Sequence, residues 1–341
     1  MRRRGVTVLV GAVFVLLLSI GVMVAPVPYV VLKPGPTWDT LGEQTDGQPV
    51  IEIDGEQVTE SAGELHLTTV SVEPDISLLD AIYGWFDRQD AVVPEELVYP
   101  PDQTREEVDE RNAEEFTRSQ TAAETAALRQ LGYPAQVAVA SVGDGTPAEG
   151  QLVAGDVIET VDGTEVTDVE TLQNLVAAEP VGATLTVGYQ RDGEPGTARI
   201  TTEPIGDGDD TPRLGVQVTY QVDVPFELTI GLERIGGPSA GLMFALGIID
   251  KLEPEDLTGG EIIAGTGSID EQGTVGAIGG IAQKLVAARE IGAVAFLVPA
   301  RNCAEAVANA QPGITLVRVE TLAGALTELA ALRADREPTT C

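Results

Sequence analysis

A serine lies between glycines at the point where a strand-like stretch gives way to a helix. Residues 226–232 resemble a strand, and an apolar helix is predicted from 242 to 249. Gly236, Gly237 and Pro238 precede Ser239, and glycine lets a backbone approach a substrate closely. A helix N-terminus adds unpaired N–H groups and a partial positive charge, which stabilise a developing oxyanion. The segment therefore indicates Ser239 as a nucleophile, with Gly236, Gly237 and Pro238 beside the oxyanion or the substrate backbone. An ordinary helix-capping serine is the alternative.

Few residues of the chain could act as the general base for such a serine. Residues 237–241 match the nucleophile elbow G-x-S-x-G, but that motif requires a histidine after the serine, and His66 is the only histidine of the chain. An order with the histidine upstream stays formally open, although nothing around His66 suggests a catalytic base. Lysine is the known substitute for histidine in serine hydrolases.

The chain has three lysines, and one of them lies in an apolar setting. Lys33 follows the N-terminal apolar segment, and Lys251 ends a helix, where a cation is favourable. Lys284 lies on the same helical face as Ile281 and Ile291. Burial disfavours the ammonium form and lowers the pKa, as a base working near neutrality requires. Lys284 is therefore the predicted general base, and a lysine that extends along the apolar surface to water is the alternative.

The N-terminus is predicted to anchor the chain in a membrane. Arg2, Arg3 and Arg4 precede an apolar run over 6–25, which has about the 20 residues that a helix needs to cross the hydrocarbon core. The positive-inside rule places the arginines in the cytoplasm and everything after Pro26 outside. A cleavable signal peptide is the competing interpretation, but Pro26 suits cleavage poorly. We expect a single-pass signal anchor and an extracytoplasmic domain, joined by an extended, proline-rich stalk over 27–41.

Residues 134–205 form a predicted unit of their own. A strand over 136–140, a turn over 143–147, a tight turn at Asp162-Gly163 and a helix over 168–178 are followed by two more strands. This order, with the segment 152–158, resembles a bacterial PDZ domain. The resemblance implies a site for extended peptides, often C-terminal tails, which add as a strand beside a helix. The nearest match to its carboxylate-binding loop is Leu131-Gly132-Tyr133. A structural spacer without a peptide ligand is the alternative, and 206–212 is predicted to be a linker.

Glycine-rich segments downstream agree in order and spacing with one protein family. Residues 236–241, 263–267 and 273–281, followed by Lys284, resemble the proteolytic domain of Lon peptidases of family S16. The resemblance implies Ser239 as nucleophile, Lys284 as general base and Thr266 as a threonine near the pair. Residues 65–69 and 119–123 look like the first strand and the first helix of the same domain.

These patterns together predict an α+β fold with an N-terminal transmembrane helix, a Lon-type proteolytic domain and an inserted PDZ-like domain. The predicted limits are 1–32 for the arginine cluster and signal anchor, 33–133 for the stalk and the first part of the Lon-like domain, 134–205 for the PDZ-like domain, and 206–341 for the proteolytic domain with the dyad. Lon-type domains tend to form rings, so a homo-oligomer is expected by analogy.

Composition limits the partners and cofactors. The 54 acidic against 20 basic residues give a formal charge of −34, which disfavours nucleic acid. One histidine and two cysteines cannot build the usual zinc site, and no metal or other cofactor is expected. Whether Cys303 and Cys341 form a disulfide stays open.

The predicted function is cleavage of extracytoplasmic or membrane-associated polypeptides that the PDZ domain recruits in part. No phosphate-binding motif G-x-x-x-x-G-K-[ST] occurs in these residues, which favours cleavage without ATP. A catalytically silent, membrane-tethered PDZ adaptor is the alternative.

Overall fold

The chain folds as two compact units, one of which interrupts the other in sequence. The computed structural model describes residues 2–23, 25–45, 47–87, 89–206, 209–232 and 235–341. The first unit comprises Met1–Ala127 and Phe226–Cys341, and the second comprises Leu128–Pro225. Mixed helices and strands build the chain, with one unit inserted in the other, while the domain limits given above stay predictions.

The helices are distributed over both units and alternate with strands. In chain order they are α1 Arg2–Met23, α2 Leu78–Phe86, α3 Arg105–Gln130, α4 Val169–Ala177, α5 Gly241–Leu252, α6 Ile281–Glu290, α7 Cys303–Ala308 and α8 Leu322–Arg333, with short 3₁₀ helices at Glu95–Leu97 and Ala300–Asn302. The predicted helices over 168–178 and 242–249 are thus confirmed as α4 and α5, and the segment 119–123, predicted to be helical, lies in α3.

The strands are, in chain order, β1 Tyr29–Asp39, β2 Ile51–Asp54, β3 Glu64–Glu73, β4 Ala91–Pro94, β5 Ala135–Val142, β6 Val157–Val161, β7 Thr164–Glu165, β8 Thr184–Arg191, β9 Glu194–Thr201, β10 Glu203–Gly206, β11 Asp209–Arg213, β12 Val216–Val222, β13 Glu227–Ile230, β14 Ile262–Gly265, β15 Ser268–Ile269, β16 Val275–Gly276, β17 Ala295–Pro299 and β18 Thr315–Val319.

A mixed sheet organises the first unit. Its strand order is β18-β17-β14-β3-β1-β4, with parallel pairing from β18 to β3 and antiparallel pairing at β1 and β4. Parallel strands are buried on both faces, and β17 is accordingly an uninterrupted buried run. Helix α5 is buried along almost its whole length, from Gly241 to Asp250. The sheet therefore joins strands that precede the inserted unit with strands that follow it.

The prediction of a stalk over 27–41 is wrong. Most of that stretch is β1, which pairs with β3 on one side and β4 on the other. The prolines that suggested a stalk fall where the register with β3 shifts, between Pro34 and Thr37. A bulge tolerates proline inside a sheet because the ladder hydrogen bond is already missing there. A Cβ on Gly35 would lie only 2.4 Å from Thr69 Oγ1, so the close approach of the two strands requires glycine.

The stretch 75–102 contains helix α2 and strand β4. Ser77 caps α2 through a reciprocal capping box with Asp80, which satisfies two backbone N–H groups at the helix start. The short length of α2 and its mixture of aromatic and small residues give a weak helical signal. Its buried side, Ala81 with Ile76 of the preceding turn, packs on Val31 of β1.

The second unit has its own sheet and core. The sheet order is β12-β5-β6-β8-β9, with β7 beside β6. Helix α4 contributes Leu172 and Val176 to a core that includes Ile158 and Leu185. The predicted linker over 206–212 is wrong for its described residues, because β10 and β11 pair antiparallel; residues 207 and 208 lie outside the described residues.

Helix α1 occupies most of the predicted signal anchor, of which residues 1 and 24 lie outside the described residues. Within the part of the chain that the structure describes, no helix meets the length and apolarity of a membrane span. The transmembrane anchor is thus not confirmed and stays a prediction.

The two cysteines, left open by the sequence, form a disulfide. Cys303 starts α7 and bonds to Cys341, across a sequence separation of 38. The C-terminal residues pair backbone with β18: Arg318 N–H donates to Thr339, and Cys341 N–H donates to Leu316. The disulfide therefore fastens Cys341 to α7, and the hydrogen bonds hold residues 339–341 against β18.

Candidate active site

The loop that carries Ser239 is held by helix α3. Gly237 adopts a left-handed conformation, with φ of 80°, and its N–H donates to the carbonyl of Asn112 over 2.9 Å. Ser119 Oγ donates to the carbonyl of Pro238 over 3.0 Å. A Cβ on Gly241 would lie 2.7 Å from Ser119 Oγ, so glycine permits this close contact. Two hydrogen bonds between the backbone of the serine loop and helix α3 therefore fix Ser239 where α5 begins.

The lysine is fixed by the turn before α6. Gly280 caps that helix in the left-handed region, with φ of 70°, and accepts a hydrogen bond from the Lys284 N–H. A Cβ on Gly280 would lie 2.5 Å from a methyl group of Val70, so the turn needs glycine both for its conformation and for space. Asn302 binds both the N–H and the carbonyl of Ile278, at 3.0 and 2.9 Å, and so braces the same turn.

Ser239, Lys284 and Thr266 meet in one hydrogen-bonded group. Lys284 Nζ lies 2.8 Å from Ser239 Oγ and 2.8 Å from Thr266 Oγ1. The Thr266 hydroxyl donates to the Ser239 carbonyl over 2.9 Å, and the Gly267 N–H donates to the same oxygen. The structure thus brings together the three side chains that the sequence singled out, from three separate segments.

The electrostatics of the group depend on burial. Lys284 is 2% exposed, and burial lowers its pKa to about 7. A lysine with that pKa is partly neutral at physiological pH and can accept a proton from a neighbouring hydroxyl. The alternative of an amine that extends to water does not match this position.

The backbone beside the serine differs from the expectation in one respect. Pro238 has no N–H, and the N–H of Gly237 is already bonded to Asn112, so neither can donate to an oxyanion in this conformation. The N–H groups of Ser239 and Ala240 have no acceptor among the described residues, and they lie directly before α5. These two N–H groups, with the helix N-terminus, are the better candidates for oxyanion donors.

An open cleft of about 420 Å³ leads to the serine. Ser239 and Lys284 line it, together with residues of β1, β3 and the serine loop: Pro36, Trp38, Thr69, Val70, Ile235 and Gly236. Gly236 and Pro238 therefore face the space that a substrate would occupy. Trp38 and Pro36 belong to the stretch that was predicted to be a stalk, so β1 forms part of the site.

His66 has a different environment from the serine. It is buried on β3, and its Nε2 lies 2.6 Å from a carboxylate oxygen of Glu64. The partner of the Ser239 hydroxyl is the Lys284 amine, so the order with an upstream histidine gains no support.

The second unit contains a groove of about 580 Å³ between α4 and β12. Strand β12 pairs with β5 on one side only, and no strand of the described residues covers its other edge. The loop before β12 contains Leu214 and Gly215, whose N–H groups have no acceptor among the residues that the structure describes. Leu214 and Gly215 line the groove, whereas Leu131, Gly132 and Tyr133 do not.

Two family descriptions match the chain. "PDZ domain" matches residues 108–202, and "Lon protease (S16) C-terminal proteolytic domain" matches residues 217–329. The second match contains Ser239, Thr266 and Lys284. The chain carries a Lon-type proteolytic domain and a PDZ domain.

Curated relatives agree with the proteolytic part. The chain is 36% identical over 97 residues to "Lon protease 2" of Bacillus subtilis, which is 28% of this chain and 17% of that protein. It is 38% identical over 77 residues to "Lon protease" of Clostridioides difficile, which is 23% of this chain and 10% of that protein. The chain spans less than a fifth of the length of each of these relatives.

Solved structures resemble the PDZ part in sequence. The PDZ domain of an SdrC-like protein from Listeria monocytogenes is 28% identical and covers 25% of this chain and 87% of its own, with a TM-score of 0.24. A protein from Geobacillus thermodenitrificans is 30% identical, and the match covers 24% of this chain and 94% of that protein's chain, with a TM-score of 0.23. The PDZ assignment rests on the family match and not on these scores.

Sequence patterns missed the residues that hold the Lon-type site in place. Asn112 and Asn302 act through a backbone carbonyl and a single side-chain amide, which leave no periodic signal. Leu214 and Gly215, which line the groove of the second unit, had a local signal: a glycine after an apolar residue just before the strand 216–222.

The lowered pKa of Lys284 predicts how serine reactivity depends on pH. The neutral amine, which activates Ser239, is lost as pH falls through about 7, so labelling by a fluorophosphonate should be about fifty-fold slower at pH 5 than at pH 7. Lys284→Arg should abolish labelling because guanidinium stays charged. Lys251→Met is the control and should keep the profile. A rate that is flat from pH 5 to 8 would contradict the assignment of Lys284.

Proposed function

We propose that the first unit is an endopeptidase in which Ser239 is the nucleophile and Lys284 the general base. The observation that carries the proposal is the buried amine 2.8 Å from the serine hydroxyl at the base of an open cleft. The hydroxyl attacks a peptide carbonyl as its proton passes to the Lys284 Nζ. The N–H groups of Ser239 and Ala240 receive the negative charge that develops on the carbonyl oxygen.

The second half of the reaction returns the site to its starting state. Lys284 gives the proton to the leaving amine, and the acyl ester on Ser239 remains in the cleft. A water molecule, deprotonated by the neutral Lys284, then attacks the ester and releases the acid product. Thr266 holds the amine in line through its hydroxyl, which also bonds the Ser239 carbonyl.

Cleavage without ATP is part of the proposal. Its support is that these residues contain no phosphate-binding loop motif of the form G-x-x-x-x-G-K-[ST]. The cleft walls are two sheet strands and a loop, and an extended segment fits such a cleft. The substrates should therefore be unfolded or flexible polypeptides.

The PDZ groove is proposed to recruit such polypeptides by their C-terminal tails. The free edge of β12 offers backbone groups to an added strand, and the unpaired N–H groups of Leu214 and Gly215 suit a terminal carboxylate. The groove is lined by Leu172, Val176 and Val218, which favours an apolar terminal side chain.

An extracytoplasmic, membrane-associated location is proposed on separate grounds. The support is the arginine cluster followed by the apolar residues of α1, together with the disulfide between Cys303 and Cys341. Disulfides persist in oxidising compartments and are rare in a reducing cytosol.

The peptidase proposal predicts that a disordered polypeptide such as casein is cleaved by the purified chain without nucleotide. Ser239→Ala should lower turnover by about a thousand-fold or more, because the nucleophile is lost. Ser268→Ala, a nearby serine outside the group, is the matched control and should stay active. Cleavage that persists in Ser239→Ala, or that needs ATP and Mg²⁺, would leave the silent adaptor or an ATP-driven enzyme as the better account.

The recruitment proposal predicts that filling the PDZ groove separates binding from chemistry. Ala177 is exposed on α4 and lines the groove, so Ala177→Trp should weaken binding of a labelled peptide with a free apolar C-terminus by about ten-fold or more. Asn174→Trp lies on the same helix away from the groove and should bind normally. Fluorescence anisotropy gives the affinities. Equal affinities in both variants would place peptide binding elsewhere.

The location proposal predicts oxidised cysteines in chain isolated from cells. After denaturation, neither cysteine should react with an alkylating reagent until a reductant is added, whereas Cys303→Ser should leave Cys341 reactive. The bridge closes a long loop, so reduction should lower the free energy of unfolding by about 2–4 kcal/mol. Two reactive thiols in untreated chain, recovered in the soluble fraction, would refute the location.

A further inference from the structure

Outside α1, the most exposed large apolar side chains of the described residues occur close together in sequence. Tyr83 is 71% exposed, Trp85 58%, Phe86 85% and Leu97 71%, whereas every other such residue outside α1 is at most 53% exposed. We call these four residues the aromatic patch. Soluble proteins rarely expose aromatic residues together without a binding partner.

The aromatic patch is attached to the residues that follow α1. The Leu78 N–H, at the start of α2, donates to the Ala25 carbonyl over 3.2 Å, and the Val27 N–H donates to Ile76 over 3.1 Å. The Glu95 N–H, two residues before Leu97, donates to the Pro28 carbonyl over 3.1 Å. The two segments that carry the patch are thus hydrogen-bonded to residues 25–28.

Helix α1 continues this apolar surface. Its described apolar side chains, from Leu9 to Met23, are 45–66% exposed, and α1 contacts α2. The face of α2 that carries Tyr83 and Phe86 also carries Leu79 and Ile82, because residues 79, 82, 83 and 86 share one side of a helix. One apolar surface therefore extends from α1 across α2.

The charges described near the patch disfavour several kinds of partner. The charged residues that the structure describes within 78–97 are all acidic, and Asp80, Asp87 and Glu96 are exposed. Arg105, further along the chain, is engaged by Asp75 and Glu95. Carboxylates repel nucleic acid and anionic lipid. A second copy of this chain, also at −34, would bring the same carboxylates against them.

We infer that the aromatic patch rests in the interface of an electrically neutral lipid bilayer, beside α1. Tyrosine and tryptophan have an apolar ring and a polar tip, which suits the boundary between headgroups and acyl chains. A helix that lies in the plane of the interface, as proposed for α2, needs an apolar face but need not be long enough to cross the bilayer. One edge of Trp85 is fixed by Tyr29 of β1, at 6.0 Å between ring centroids, so the patch also orients the sheet to the bilayer. The inference rests on the proposed membrane location.

Tryptophan fluorescence tests it, because the chain has two tryptophans. Full chain carrying Trp38→Phe keeps Trp85 as its sole tryptophan and is mixed with phosphatidylcholine vesicles brominated near the headgroup end of the acyl chains. Most of the Trp85 emission should be quenched by the brominated lipid, and acrylamide quenching should fall. Chain carrying Trp85→Phe reports on Trp38 in the cleft, and its emission should not respond to the brominated lipid.

Substitutions and flotation separate the outcomes. Tyr83→Asp with Phe86→Asp should abolish lipid quenching of Trp85, while Val58→Asp with Val307→Asp, at exposed apolar sites elsewhere, should leave it intact. If the chain floats with the vesicles but Trp85 is not quenched, lipid contact of the aromatic patch is refuted, while the proposed membrane anchor is retained. A chain that does not float would overturn both. Shielding of Trp85 from acrylamide without lipid would mean that another protein surface covers the patch, and would also overturn the inference. Cleavage of casein is measured in a separate experiment, which tests only the proposed peptidase activity.

Discussion

A buried amine with hydroxyl partners is the constraint on which the site depends. Lowering the pKa of Lys284 from its ordinary value of 10.5 to about 7 corresponds to roughly 5 kcal/mol of disfavoured protonation. A carboxylate near the amine would raise the pKa again. The chain has 54 acidic residues, so its fold must place their side chains away from Lys284. The partners of Nζ are instead the neutral hydroxyls of Ser239 and Thr266. Because a flexible lysine would extend to water, the amine stays buried only if α6 and its glycine turn are held rigidly.

That rigidity comes from segments far apart in the chain. Asn112 and Ser119 hold the serine loop, Val70 closes on Gly280, and Asn302 braces the turn before α6. The matched proteolytic region begins only at residue 217, yet the strands that wall the cleft, β1 and β3, precede the inserted unit. The parallel pairing of β3 with β14 joins the two parts in one sheet. The residues before and after the inserted unit therefore build one sheet in the first unit.

The sequence was informative where chemistry is local and uninformative where contacts are distant. Ser239 was predictable because glycines before an apolar helix are a local pattern, and Lys284 because lysines are few and one lies on an apolar helix face. The sequence did not predict that β1 belongs to the sheet, because Pro34 and Pro36 argue against a strand unless the bulge opposite β3 is known. The groove of the second unit was not predictable because it needs α4 and β12 side by side, which periodicity along the chain cannot show.

Strand β1 connects the two surfaces that the structure adds to the sequence. It begins at Tyr29, which packs against Trp85 of the aromatic patch, and Trp38 near its other end lines the cleft beside Ser239. Nine residues of extended chain span at most about 30 Å, so a patch resting on a bilayer would keep the cleft within about that distance of the lipid. Flexible segments of membrane proteins would then be the nearest substrates. The same strand that was predicted to be a spacer would thus hold the peptidase site at a fixed short height above the membrane.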